Sequence, residues 1–182
     1  MTARQTAWPR TWLMTDERLG VRLWEAIDRL PSDSGIVFRH YALAPAERLH
    51  LAAEVASTCR ARGFTLAVAG DLDMAQAVGA DLIHNPADIE ADIPFSKSVH
   101  SLEDAEATAR IGASLVFVSP VFATRSHPGA PALGLDRAKR LAEAAGAPAI
   151  ALGGMNARRF AELEGFYGWA GIDAWLSDDS RT

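Results

Sequence analysis

Short apolar runs recur along this chain. Most give way to a small or polar break and then to apolar residues spaced three and four apart. That alternation suits buried parallel strands followed by covering helices, because such a strand is apolar on both faces whereas the helix is apolar on one. The clearest cases are residues 114–135 and 149–156. In the first, Val116, Phe117 and Val118 make a buried strand that breaks at Ser119 and Pro120. In the second, Ile150, Ala151 and Leu152 run into Gly153 and Gly154, and Asn156 stands as N-cap to a helix around 159–163. Ligands of parallel α/β folds sit beyond the carboxyl ends of the strands, so these two loops are the first place to seek chemistry.

The same reading extends along the chain. Residues 12–16 form a first strand, and 18–30 a helix with Leu19, Leu23, Ile27 and Leu30 at helical spacing. A turn at 31–35 precedes a second strand, 36–38, which leads into Arg39, His40 and Tyr41. Residues 45–62 make the strongest helix. Pro45 is near its start, Leu49, Ala52, Ala53, Val55 and Ala56 face inward, and Gly63 is at its end. Strand three (64–69) is followed by a short helix, 72–78, that Asp71 can cap. Strand four (82–84) is broken by Asn85 and Pro86, and strand five is 95–99. Ser101 and Asp104 resemble a capping box before a helix at 102–111, with Asp in place of the preferred Glu. Strand six (115–118), a long loop, a helix at 136–145, strand seven (148–152), the helix after Asn156 and strand eight (168–172) complete the series.

Eight such units, at a repeat of roughly 20 residues, predict a (β/α)8 TIM barrel. The expected organisation is one domain over residues 1–182, with its core at about 12–176 and a frayed polar tail at 177–182. A chain below the ~200-residue minimum usual for that fold leaves helices four and eight vestigial. A doubly wound open sheet shares the alternation and stands as the alternative.

Composition narrows the function classes. The chain is 49% apolar and 23% charged with a net charge of −5, and no Lys/Arg stripe offers a nucleic-acid surface. No apolar run approaches the ~18 residues of a membrane span, and the basic N-terminus lacks the apolar core of a secretory signal. The expected location is cytoplasmic, with no membrane partner. Cys59, the sole cysteine, rules out an intrachain disulfide and reads as a buried structural thiol in mid-helix. No G-x-S-x-G, paired-Cys zinc or Walker pattern is present. Trp8, Trp12, Trp24, Trp169 and Trp175 near the two ends read as packing, with a homo-oligomer interface left open.

Several groups are candidates for chemistry. In the seventh unit of a barrel, Gly153 and Gly154 would let backbone N–H groups approach phosphate oxygens, although the same pair makes an ordinary strand-to-helix turn. Thr124, Arg125, Ser126 and His127 occupy a long loop and suit an anionic oxygen cluster; a solvated loop is the plainer reading. Arg39 suits bidentate contact with phosphate. His84 and His100 end strands four and five, as acid–base groups or as structural hydrogen-bonding residues. Asp16, Asp71 and Asp88 follow strands and could hold Mg²⁺ or cap helices.

Taken together, these segments resemble thiamine phosphate synthase and its TenI-like tautomerase relatives. They are Thr15-Asp16, Gly79-Ala80-Asp81 with His84, Ser98 to Ser101, Ser119 to Thr124, Pro128 to Gly134, and Gly153-Gly154-Met155. The resemblance runs from about Trp12 to Leu176 and is densest between Lys97 and Met155. It implies a (β/α)8 barrel that joins an aminopyrimidine-methyl pyrophosphate to a thiazole phosphate with Mg²⁺ and releases pyrophosphate. Carried over position by position, it makes Arg39 the pyrophosphate arginine, Ser98 and Thr124 hydroxyls near the phosphates, Gly153-Gly154 the thiazole-phosphate loop, and Asp71 and Asp88 the remaining metal candidates. His84, Arg125, His100 and His127 complete the expected site.

The chain also departs from the family pattern. Val37 and Tyr41 stand where a glutamine and a lysine are expected, Ala69-Gly70 where an Asn-Asp pair is, His127 for a loop lysine, Asp173 for a serine, and Pro120 for the tautomerase histidine. The expected partner is a small phosphorylated substrate. Synthase chemistry is the first reading. An isomerase using His84, His100 or His127 as acid or base, and a non-catalytic phosphate-ligand barrel, are the others.

Overall fold

Each apolar run becomes a strand, and the eight strands pair in chain order, all parallel, until the last meets the first. They are β1 (Thr11–Met14), β2 (Gly35–Phe38), β3 (Thr65–Ala69), β4 (Leu82–His84), β5 (Phe95–Val99), β6 (Leu115–Val118), β7 (Ala149–Ala151) and β8 (Gly168–Gly171). The seam is fixed by Trp12 opposite both Gly35 and Ala170, so the sheet closes and the open doubly wound alternative falls. The computed structural model describes residues 7–89, 93–124 and 131–176. The tail expected to fray, 177–182, and the loop residues Arg125 and His127 lie outside them.

Closure brings Trp12 of β1 and Phe117 of β6 together inside the barrel. A Cβ on Gly35 would fall 2.3 Å from the Trp12 ring, so that ring occupies space only glycine leaves free. Trp12 meets Phe117 edge-on at 5.6 Å, and Phe117 meets His84 edge-on at 5.2 Å. The interior is therefore packed, and ligands are left to the rim.

Among the described residues six α-helices cover the outside: α1 (Leu23–Asp28), α2 (Pro45–Arg62), α3 (Leu72–Val78), α4 (Leu102–Ile111), α5 (Leu135–Ala144) and α6 (Ala157–Ala161). Among the described residues no helix lies between β4 and β5, and β8 is followed only by a 3₁₀ turn, Asp173–Trp175. These are the two vestigial helices expected. At the last position Trp175 stacks on Trp169 at 4.7 Å and its indole N–H donates to the Trp12 carbonyl at 3.3 Å, two aromatic rings standing where a helix would.

Two details correct the sequence reading. The helix expected at 18–30 splits into a 3₁₀ stretch (Glu17–Arg22) and α1, because Gly20 adopts φ 49°, ψ −128° and breaks the hydrogen-bond ladder. On α2 the buried stripe is Ala52, Val55, Ala56 and Cys59, whereas Leu49 and Ala53 are exposed. Ala53 lies about 100° round the helix from Ala52, and the stripe of small residues is narrow. The Cys59 thiol is buried as expected, and burial pushes it up to about 12.

Candidate functional site

The strands deliver their C-terminal residues to one rim, where Arg39, His84, Ser98, Thr124 and Gly153 are gathered. A cleft of about 570 Å³ opens there, lined by Arg39, His100, Thr124, Gly153, Gly154 and Asp173 among others. A larger hollow of about 1310 Å³ lies at the opposite end, where Arg10, Asp81, Pro148 and Tyr167 flank the strand starts. Parallel barrels place their reactive groups where the strands end, so the smaller cleft is the candidate site.

One wall is the β7 loop. Gly153 has φ +95°, and a Cβ on it would stand 2.7 Å from the Pro120 Cα; on Gly154 a Cβ would stand 2.6 Å from the Ala123 carbonyl oxygen. The loops after β6 and β7 are laced together by Val121 N–H to the Leu152 carbonyl (2.9 Å) and Phe122 N–H to that of Gly153 (3.1 Å). Asn156 caps α6 by accepting from Arg159 N–H at 2.9 Å, and Arg159 lies over the Phe122 ring and donates to the Gly154 carbonyl. Among the described residues the N–H groups of Gly153 and Gly154 take no hydrogen-bond partner. This wall can thus offer backbone donors to an anion.

Another wall carries Arg39, which is already engaged. Its Nε donates to the Thr15 carbonyl at 2.9 Å, its Nη2 lies 3.4 Å from Asp16 Oδ2, and its backbone N–H donates to the Thr15 hydroxyl at 2.9 Å. That hydroxyl also pairs with His40 Nδ1 at 3.0 Å. Asp16 in turn accepts from Arg18 Nε at 2.9 Å. Burial alone would raise the Asp16 carboxyl, but the Arg18 hydrogen bonds and the charges of Arg18 and Arg39 outweigh it and hold the group below its ordinary value. Burial lowers Arg39 from its ordinary value, with Asp16 opposing, and a guanidinium remains a cation throughout the physiological range. Asp173 adds a favourable field at Arg18, whose value is raised chiefly by the hydrogen bond to Asp16. Charges therefore alternate around the rim as Arg39, Asp16, Arg18 and Asp173, and the Asp173 charge is answered locally.

The two strand-end histidines differ. His84 is only 2% exposed, and its Nδ1 pairs with the Ser96 hydroxyl at 2.9 Å. Its Nε2 accepts from the Asn85 amide at 3.2 Å, which places the ring proton on Nδ1. Asn85, at φ 51°, also donates to the Ser98 hydroxyl at 3.0 Å and accepts from Ser98 N–H at 2.8 Å. Burial pushes His84 down to about 3, so it is a neutral tie between β4 and β5. Neither His84 nor Ser98 lines the cleft. His100 does, and its Nδ1 lies 2.8 Å from the Ser119 carbonyl. A carbonyl only accepts, so Nδ1 carries the proton and, in the neutral ring, Nε2 is the nitrogen with the lone pair.

The acidic residues do not fit a Mg²⁺ site. Asp71 caps α3 by accepting from Met74 N–H at 2.9 Å, and its second oxygen accepts from Arg48 at 3.0 Å. Asp88 is exposed in the loop after β4. Among the described residues no three His, Cys, Asp or Glu stand together. Mg²⁺ requires near-octahedral oxygen ligands, often one or two carboxylates with phosphate oxygens and water, and both Asp71 oxygens are already engaged. Sequence reasoning missed Arg48, whose place in the first turn of α2 carries no local signal for its partners, and the tie made by Asn85, for which the break before Pro86 was only a hint.

Fold and rim together define a (β/α)8 barrel whose cleft at the strand ends offers a guanidinium, an acceptor imidazole and bare backbone donors. The chain belongs to the thiamine monophosphate synthase family, whose model matches residues 32–174. A protein of Aquifex aeolicus provisionally named thiamine-phosphate synthase 2 is 30% identical over 182 aligned positions, covering 92% of this chain and 98% of that one. The thiamine-phosphate synthase of Acidothermus cellulolyticus is 33% identical over 140 positions, 70% of this chain and 66% of that protein. Among solved structures, thiamine phosphate pyrophosphorylase from Pyrococcus furiosus superposes with a TM-score of 0.80 at 23% identity, covering 93% and 89% of the two chains. A 3-hexulose-6-phosphate synthase, at a TM-score of 0.62 and 16% identity over 91% and 90% of the chains, shares the fold. No helix among the described residues is long and apolar enough to cross a membrane.

Proposed function

We propose that this chain joins an aminopyrimidine-methyl pyrophosphate to a thiazole phosphate and releases pyrophosphate. The observation that carries the reading is one cleft holding the Arg39 guanidinium on one wall and the Gly153 and Gly154 N–H groups, unpartnered among the described residues, on another. Family membership, and the name borne by a relative aligned along 98% of its length, support it. In the step, the methylene C–O bond breaks and its electron pair leaves with pyrophosphate. The thiazole nitrogen lone pair then forms the new C–N bond, and no proton moves at the reacting carbon. Arg39 offsets charge on the departing oxygens, while the glycine loop holds the thiazole phosphate so that its nitrogen faces the methylene. Because Asp16 competes for Arg39, a monophosphate is the favoured ligand over pyrophosphate.

A second reading rests on His100, whose fixed Nδ1–H leaves Nε2 as an acceptor in the cleft. That arrangement suits proton transfer in an isomerisation of a phosphorylated heterocycle. Incubation with both substrates, followed chromatographically, tests the first reading. Joined product and pyrophosphate are expected, with turnover lowered ~10²–10³-fold in Arg39→Gln. Absence of joined product, with solvent-hydrogen exchange into a heterocycle phosphate that His100→Ala abolishes, would favour the isomerase. Neither activity would favour a binding protein.

A further inference from the structure

We propose that Arg48 takes the place of a divalent cation at the mouth of β3, so that this chain binds its ligands without metal. The family resemblance implies Mg²⁺ held by acidic residues just beyond that strand, where this chain has Ala69, Gly70 and Asp71. An ion at that mouth would draw on the strand-end carbonyl and the carboxylate that follows. Arg48 holds both: its Nη2 donates to the Ala69 carbonyl at 2.9 Å and its Nη1 to Asp71 Oδ2 at 3.0 Å. The other oxygen, Oδ1, is spent on Met74 N–H at the start of α3.

The guanidinium is held on a further side by the Tyr41 ring, 5.5 Å away, and the side chain is only 12% exposed. Its Nε is buried with no acceptor among the described residues. Leaving a charged group's N–H unpaired is unfavourable, so the other contacts dictate where the guanidinium sits. The loop cannot slip to free Asp71, because Gly70 turns at φ +73° and its N–H donates to the His84 carbonyl at 2.8 Å. Asp16 is bound by Arg18 and Arg39, and among the described residues no three His, Cys, Asp or Glu stand together, so Asp88 has no shell of such ligands to join. Arg48 thus leaves a permanent guanidinium, paired with Asp71, at the β3 mouth, one that no chelator removes.

Two binding measurements test this, whichever reaction the cleft performs. In the first, free Mn²⁺ is followed by electron paramagnetic resonance as the purified full chain is titrated. The free signal is expected to track added metal one for one, and a saturable site of one ion per chain overturns the proposal. Asp71→Asn and Asp88→Asn then identify the carboxylate responsible. In the second, thermal melts with inorganic pyrophosphate are compared in EDTA and in Mg²⁺. Equal shifts are expected, and a shift that needs Mg²⁺ overturns the proposal. If pyrophosphate moves neither melt, the Mn²⁺ titration alone decides. Absence of transferase activity counts against the proposed function and leaves this result standing.

Discussion

Arg39 leaves β2 with its guanidinium already answered by Asp16 at 3.4 Å, so an incoming anion must compete with a carboxylate the protein supplies itself. Asp16→Asn keeps an N-cap for the 3₁₀ stretch while removing that charge. Phosphate affinity is expected to rise about tenfold at low salt, and less at high salt as screening grows, measured by calorimetric titration. His84 gives a pH signature of opposite origin. Its folded value of about 3 lies below the ordinary 6.5, so between those values the unfolded chain binds a proton that the native chain does not. The stability present above pH ~6.5 is therefore lost as pH falls toward 3, with His40, also lowered by burial, adding to the slope. Urea unfolding from pH 7.5 to 5 should show this decline, and His84→Asn should flatten it.

Among the elements, β6 and β7 depend on each other through their loops. Gly153→Ala would press a methyl against the Pro120 Cα at 2.7 Å in a left-handed backbone. A loss of about 1–3 kcal/mol is expected from denaturant midpoints, together with weakened phosphate binding as the cleft wall shifts. The α4 capping box behaves more locally. Ser101 accepts from Asp104 N–H at 3.1 Å while Asp104 accepts from Ser101 N–H at 3.0 Å, so the Asp variant of the motif closes both hydrogen bonds. Ser101→Ala should cost about 1 kcal/mol in urea unfolding and leave the cleft unchanged.

For the whole molecule, the question is how a short chain closes a barrel with two helices pared away. Trp175, 8% exposed, spans the seam from the turn after β8 to β1, stacking on Trp169 and donating to Trp12. Trp175→Ala should therefore cost about 3–5 kcal/mol, read by chemical denaturation, because it opens a cavity at the closing seam. The variant's cleft should loosen at Asp173 and Ile172, which share that turn and the cleft wall.

The succession of strands and helices was legible in the sequence because burial on both faces writes a continuous apolar run and burial on one writes a periodic stripe. Caps were legible for a similar reason: Asp71, Ser101 and Asn156 act on backbone groups three residues away. So was the location of a cleft at Arg39 and Gly153, since in a parallel barrel every strand ends on the same rim. What each side chain does there depended on neighbours distant in the chain. Arg39 meets Asp16 across 23 residues, Arg48 meets Asp71 across another 23, and His100 finds the Ser119 carbonyl across 19. His84 looked in sequence like His100, a histidine ending a strand, yet one is sealed against Ser96 and Asn85 and the other opens to the cleft. Hydrogen bonds and ion pairs are set by separations of a few ångströms in space. Local pattern fixes which rim a residue reaches, and only closure of the barrel decides which partner waits there.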